Sequence, residues 1–181
     1  MIDKKLIEDC INGDLHNFRH VVEKTSPLVY SVAFRMLGDE DTARDIVQDT
    51  FVIVWQKLPK IRSSESFRKW VYRIAVNKCY DYIRKKKREP ELRLNDQAWA
   101  IISDNISENT ATELENQENA MIIDFLTGRL SPKQKTVFVL SELEELSHDE
   151  IAEITGMYRS AVKANLYYAR RKIEILLKKY L

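Results

Sequence analysis

The stretch that decides the fold is SHDEIAEITGMYRSAVKANLYYARRK, residues 147–172. Ile151, Ala152 and Ile154 give a short helix an apolar side, Thr155-Gly156-Met157 interrupts it, and a second helix follows with Val162, Leu166, Ala169 and Ile173 on one face. That pattern predicts a helix-turn-helix. Ala152 is small where the two helices must cross, Gly156 permits a left-handed turn, and Val162 packs the second helix back onto the first. Ser147 and Glu150 make an S-x-x-E capping box that starts the first helix. Opposite the apolar face lie Arg159, Ser160, Lys163, Ala164 and Tyr167, with Arg170 and Arg171 further along. Side chains near the start of the second helix are placed to reach base edges of DNA, and the later cations to meet phosphates. A solvated basic face alone would be a weak signal, but here it coincides with the residue spacing and the cap. Of Tyr158, Tyr167 and Tyr168, at least one is expected to pack against the core rather than DNA.

The formal net charge of +1 conceals a strong asymmetry. Seven Lys or Arg stand against one Glu from Tyr158 to Leu181, and eleven against two acids from Lys60 to Arg88. Between them, Glu89 to Ala120 holds eight acidic residues and one Arg among many Asn, Ser and Thr, with little periodicity. Such a composition predicts a linker. Upstream, Gly38 closes the apolar stretch LVYSVAFRML, Asp39 can cap the next helix, and Pro59 ends that helix after DTARDIVQDTFVIVWQKL. A further helix is expected from near Ser64 to the basic cluster RKKKR at 84–88. Downstream, Ser131 to Gln134 is a second capping box, with Pro132 at the first helical position. The chain is therefore read as all-α, with two small helical domains, residues 1–88 and 118–181, joined by an acidic flexible linker over 89–117.

Several function classes are set aside. Apolar runs such as FVIVW at 51–55 fall far short of the roughly 20 residues of a membrane span. Met1 leads into the charged IDKKLIED with no signal pattern, which predicts a cytoplasmic protein. Cys10 and Cys79 lack metal-site neighbours and fit a reducing compartment. His16 and His20 are four apart without an HExxH motif, and His148 sits inside a capping box. With no phosphate loop or nucleophile motif, no catalytic site, metal, cofactor or small-molecule substrate is expected.

The first domain carries its own basic helix, SFRKWVYRIAVNKCYDYIRKKKR. Phe67, Trp70, Val71, Ile74 and Ala75 form its predicted buried stripe, while Arg73, Asn77, Tyr80 and Arg84 recur on another face. Cation, amide, aromatic and cation suit the backbone and bases of a separated strand.

In this order, the acidic helix, the basic helix, the acidic linker and LSPKQKTVFVLSELEELSHDEIAEITGMYRSAVKANLYYARRKI together resemble a bacterial sigma factor of the extracytoplasmic-function kind over nearly the whole chain. The resemblance implies two helical domains that bind core RNA polymerase and direct it to promoters, the first at the −10 element and the second at the −35. It implies that the helix with Asp45, Gln48, Asp49, Phe51 and Trp55 docks on the coiled coil of the polymerase's largest subunit, its acids suiting a basic surface. Ile46, Val47, Val54 and Leu58 of that helix are assigned to the core. Residues Ile61 to Phe67 would capture a flipped base, and Asn77 would help read it. About 30 linker residues can extend to roughly 100 Å, enough for two and a half turns of DNA at about 34 to 36 Å each. Relatives are commonly restrained by an anti-sigma factor, often membrane-linked. Where relatives often read VKSRLHRAR this chain has VKANLYYAR, so Ala164, Asn165 and Tyr168 replace a Ser and two Arg, and base preference at −35 does not carry over. Tyr158 stands where a capping Ser is common, so a less firm helix start is expected. The rival reading is a stand-alone helix-turn-helix regulator with an N-terminal sensing or dimerisation domain; it leaves the Lys60–Arg88 segment and the acidic helix without a purpose.

Overall fold

Pro27, within the second helix, removes one backbone donor, but the chain stays helical from Leu15 to Leu37. The structure, a computed structural model, describes residues 4–12, 15–60, 66–86 and 125–180, and among these there are helices and no strand. Helix α1 spans Lys4–Ile11 and α2 Leu15–Leu37. Gly38 ends α2 in the left-handed region (φ 72°), its N–H bonding to the Phe34 carbonyl at 2.7 Å. Asp39 then caps α3 (Glu40–Lys57), its carboxylate accepting from the Thr42 N–H at 2.8 Å. A 3₁₀ turn over Leu58–Lys60 contains Pro59, and α4 spans Phe67–Lys86. The expected start near Ser64 lies outside the described residues, as does the linker 89–117.

The second half opens with a helical turn at 125–128, followed by α5 (Pro132–Phe138) and a π-helical turn, Val139–Leu143. Helices α6 (His148–Thr155) and α7 (Arg159–Tyr180) complete it. Both predicted capping boxes form, with Ser131 and Ser147 each accepting from the backbone N–H three residues on at 3.3 Å. The second box holds the Glu150 carboxyl below its ordinary range, through hydrogen bonds from Ser147 first of all.

Three apolar clusters organise these helices. Ile7, Val21, Val29, Phe51, Val54, Leu58, Phe67, Val71 and Ala75 make the core of the first half. Leu126, Leu130, Ala169 and Ile173 anchor the turn at 125–128 on the second half of α7. The third cluster crosses between the halves: Val32, Ala33 and Met36 of α2 and Tyr72, Val76 and Cys79 of α4 join Val137, Leu140, Ile151, Ile154, Val162 and Leu166.

This third cluster corrects the reading of α4. One buried stripe was expected, through Phe67, Trp70, Val71, Ile74 and Ala75; Trp70 and Ile74 are only partly buried, and a second face through Tyr72, Val76 and Cys79 is buried as well. Two apolar stripes on a 20-residue helix leave only narrow polar strips between them. Burial pushes the Cys79 thiol up to about 12, so it stays a neutral thiol inside the cluster.

Candidate nucleic-acid and polymerase interfaces

The helix-turn-helix forms as its spacing requires. Gly156 takes φ 71° and its N–H closes α6 on the Ala152 carbonyl at 2.9 Å. A Cβ at this position would meet nothing within 4 Å, so the glycine is required by its backbone angle and not by crowding. Val162 and Leu166 are buried against Ile151 and Ile154, with Ala152 and Met157 packed alongside. With that side of α7 fixed inward, Arg159, Ser160, Lys163, Ala164 and Tyr167 all face outward and are exposed, as are Arg170 and Arg171. Two of the cations are braced by acids of the same half: Arg159 pairs with Asp149 at 3.2 Å and Arg170 with Glu142 at 2.7 Å. Burial works against the charge on Glu142, but hydrogen bonds from Arg170 and Ser141 outweigh it and lower its pKa. Lys163 stands between them on the open face.

Tyr158, Tyr167 and Tyr168 are 86%, 58% and 55% exposed, which overturns the expectation that one of them packs in the core. The apolar stripe Val162–Leu166–Ala169–Ile173 fills the inward side of α7 without them. Tyr167 and Tyr168 instead meet edge to face, with ring centroids 5.5 Å apart.

On α4 the predicted residues divide. Asn77 and Arg84 are exposed, and Arg84 pairs with Asp81 one turn back. Arg73 donates to the Glu153 carbonyl at the end of α6, and the neighbouring Lys69 pairs with the Glu153 carboxylate. Tyr80 is largely covered in this structure, packed against the cluster that joins the halves, and its buried hydroxyl lies beside Thr136 without a well-formed hydrogen bond. Burial pushes its phenol above the ordinary value. The base-capturing segment Ile61 to Phe67 falls outside the described residues except for Ser66 and Phe67, and Phe67 is buried in the first core.

The acidic helix α3 presents Asp45, Gln48 and Asp49 to solvent, with Trp55 44% exposed and Val52 55% exposed near its end. Trp55 leans on Phe18 at 4.7 Å between centroids. Asp49 accepts from Lys78 of α4 at 2.9 Å. Phe51 must be removed from this surface: it is 7% exposed and belongs to the first core, because it shares a face with Val54 and Leu58.

Sequence reasoning missed one group of residues altogether. Glu144, which follows the π-helical turn, has a side chain only 7% exposed and reaches the first half. Ser31 donates to it at 2.7 Å, Arg35 at 3.2 Å and the Tyr72 hydroxyl at 3.1 Å. Arg35 also donates to the Leu143 carbonyl at 3.0 Å. Arg68 lies over the Tyr72 ring at 5.5 Å and donates to its hydroxyl at 3.4 Å. No periodicity signals a contact spanning more than 70 residues; the acid in LSELEEL reads as solvated.

A helix-turn-helix with an outward cationic face, a second basic helix and an acidic helix with an exposed tryptophan define a two-domain, promoter-binding class of protein. Residues 21–89 match Sigma-70 region 2 and residues 120–173 match Sigma-70, region 4. The ECF RNA polymerase sigma factor SigW of Bacillus subtilis (strain 168) is 30% identical over 185 residues, covering 96% of this chain and 95% of the relative. The ECF RNA polymerase sigma-E factors of Haemophilus influenzae and Escherichia coli K12 are each 30% identical over 182 residues, covering 96% of this chain and 94% and 93% of theirs. The chain belongs to the ECF family of RNA polymerase sigma factors. Its fold is shared with CnrH, solved in complex with the cytosolic domain of CnrY (TM-score 0.72, 24% identity, 98% of this chain and 97% of that one). It is also shared with the sigma factor RpoE from Bartonella quintana, solved with the anti-sigma factor NepR (TM-score 0.66, 20% identity, 91% and 98%). As a sigma factor it acts with core RNA polymerase to direct transcription from promoters, which sets aside the stand-alone regulator.

Proposed function

We propose that residues 1–88 bind core polymerase and the −10 element, and that residues 118–181 bind the −35 element. In this reading Asp45, Gln48, Asp49 and Trp55 of α3 meet the polymerase. Arg73, Asn77, Tyr80 and Arg84 of α4 handle the −10 strand, and Arg159, Ser160, Lys163, Ala164, Tyr167, Arg170 and Arg171 of α7 enter the −35 groove. The observation that carries it is the outward row on α7, held in register by Val162 and Leu166 at 0% and 3% exposure. A rigid helix with one cationic, unobstructed side is what major-groove docking needs. The protein supplies positioning and no catalytic groups of its own, takes no cofactor, and works in the cytoplasm beside core polymerase. Its relatives' solved complexes support restraint by an anti-sigma factor.

The test mixes the purified chain with core polymerase and follows co-elution and promoter-specific initiation without any other sigma factor. Asp45→Lys with Asp49→Lys should weaken core binding while circular dichroism stays unchanged, since both acids are exposed and the Asp49–Lys78 pair is a surface pair worth about 0 to 1 kcal/mol. Unaltered affinity for core at moderate salt removes the α3 assignment.

A further inference from the structure

Glu144 is placed with unusual care for a residue on a loop. The π-helical turn Val139–Leu143 ends α5 with one extra residue per turn, and the next residue but one, Glu145, sits at φ 55° in the left-handed region that non-glycine residues seldom occupy. Between these two irregularities the Glu144 carboxylate is turned away from its own half and into a socket on the other. Ser31 and Arg35, one turn apart on α2, close on one oxygen, and Tyr72 of α4 on the second. A carboxylate this buried would be costly without donors, and here both oxygens are met. The socket is therefore specific for an acid at this height, whereas the apolar cluster around it, from Val76 to Ile154, supplies area without direction.

What this contact closes over is the second point. With Glu144 seated, α6 lies along α4: Glu153 takes Lys69 through its carboxylate and Arg73 through its carbonyl, and Tyr80 is covered. Two of the four α4 residues assigned to the −10 strand are thus occupied by the second half, while the α7 row stays open. The two halves cannot reach elements some 85 to 90 Å apart on DNA, at about 34 to 36 Å per turn, while locked together this way.

We infer that Glu144 is an intramolecular latch: seated among Ser31, Arg35 and Tyr72, it holds a closed form in which the second domain masks part of the −10 surface, and its release precedes promoter binding. The latch itself follows from the contacts; the masking rests on the reading of α4 as the −10 surface. The two are separated by using two readouts on the full-length chain. The Lys69–Glu153 pair can be joined by a zero-length carbodiimide, which condenses amine and carboxylate to an amide, and quantified by peptide mass spectrometry. Glu144→Ala should lower that cross-link about tenfold, the loss expected when a buried charged contact is deleted from a marginally closed equilibrium. Ser31→Ala with Tyr72→Phe, which removes two donors from the socket's side, should lower it in the same direction. The Lys78–Asp49 cross-link, confined to the first half, should remain as the folding control. In parallel, binding of a fluorescein-labelled single-stranded DNA of mixed sequence at fixed salt should tighten as the cross-link is lost. An undiminished Lys69–Glu153 cross-link in both variants overturns the latch. A lost cross-link with unchanged DNA affinity overturns the masking, and with it the assignment of α4 to DNA, while leaving the latch standing.

Discussion

Helices α4 and α7 are both basic and amphipathic and are both assigned to DNA, yet they sit differently. On α7 a single apolar stripe is buried and the cationic side faces solvent from Arg159 to Arg171, with Arg159 and Arg170 paired to acids of their own half and none of the row covered by the other half. On α4 two stripes are buried, one in the first core and one against the second half, and Arg73 and Tyr80 between them are engaged by the protein itself. The lesson is that a helix with one buried stripe announces its free surface, while a helix with two leaves that surface to be decided by what packs on it.

The largest expected effect tests this contrast directly. Tyr72 is 2% exposed on the covered side of α4, so Tyr72→Ala should destabilise the full chain by about 3 to 5 kcal/mol in urea unfolding, as large aromatic truncations in cores do. Tyr167→Ala, the same truncation on the open side of α7, should stay within about 0.5 kcal/mol. Equal losses would mean that Tyr167 is held by packing and that this side of α7 is not free.

A smaller effect divides the open face itself. Lys163 lies one residue after the packing Val162, and Arg171 two turns later. Lys163→Ala should cost about 1 to 3 kcal/mol on the preferred −35 sequence and flatten discrimination at one position. Arg171→Ala should weaken all −35 variants alike and lower the salt slope by about one contact. Binding across a panel of −35 substitutions at two salt concentrations checks it; identical uniform losses would make Lys163 a phosphate contact.

Tyr80→Phe sharpens the comparison from the covered side. Its buried hydroxyl has at best a marginal contact with Thr136, so its removal should change the stability of the closed form by no more than about 1 kcal/mol. A clear loss of stability would show a partner for that hydroxyl.

The smallest effect is in pH. The Glu150 carboxyl is held below its ordinary value by Ser147 first, with lesser pulls from Lys69 and Arg68 across the joint between the halves. Because the folded pKa is the lower one, its contribution is full above the unfolded value, about 4.3 for Glu, and is lost as pH falls through the folded value. Glu150→Gln should therefore lower stability slightly at neutral pH, leave it unchanged well below about pH 4, and so flatten the rise of the stability profile between the two. A parallel drop at all pH values would assign its role to packing.

Much of this molecule was legible in the residues because the deciding interactions are local. Gly38, Asp39, both capping boxes, Gly156 and Val162 act on neighbours within a turn or two, where backbone geometry and helical spacing leave few alternatives. The outward row of α7 followed from the same short-range rule. Phe51 was misassigned because on α3 a core phenylalanine and a docking one differ only by which side Val54 and Leu58 take. The tyrosines of α7 were misassigned because aromatic residues are apolar enough for a core yet tolerate exposure. What only the tertiary structure decided is the joint between the halves: the second buried face of α4, the covering of Tyr80 and the socket for Glu144. Those contacts span from about 70 to more than 110 positions of chain, and no periodicity carries across such a distance, since each side of the contact is a short pattern of serine, arginine, tyrosine or glutamate that reads equally well as solvated until its partner is in place.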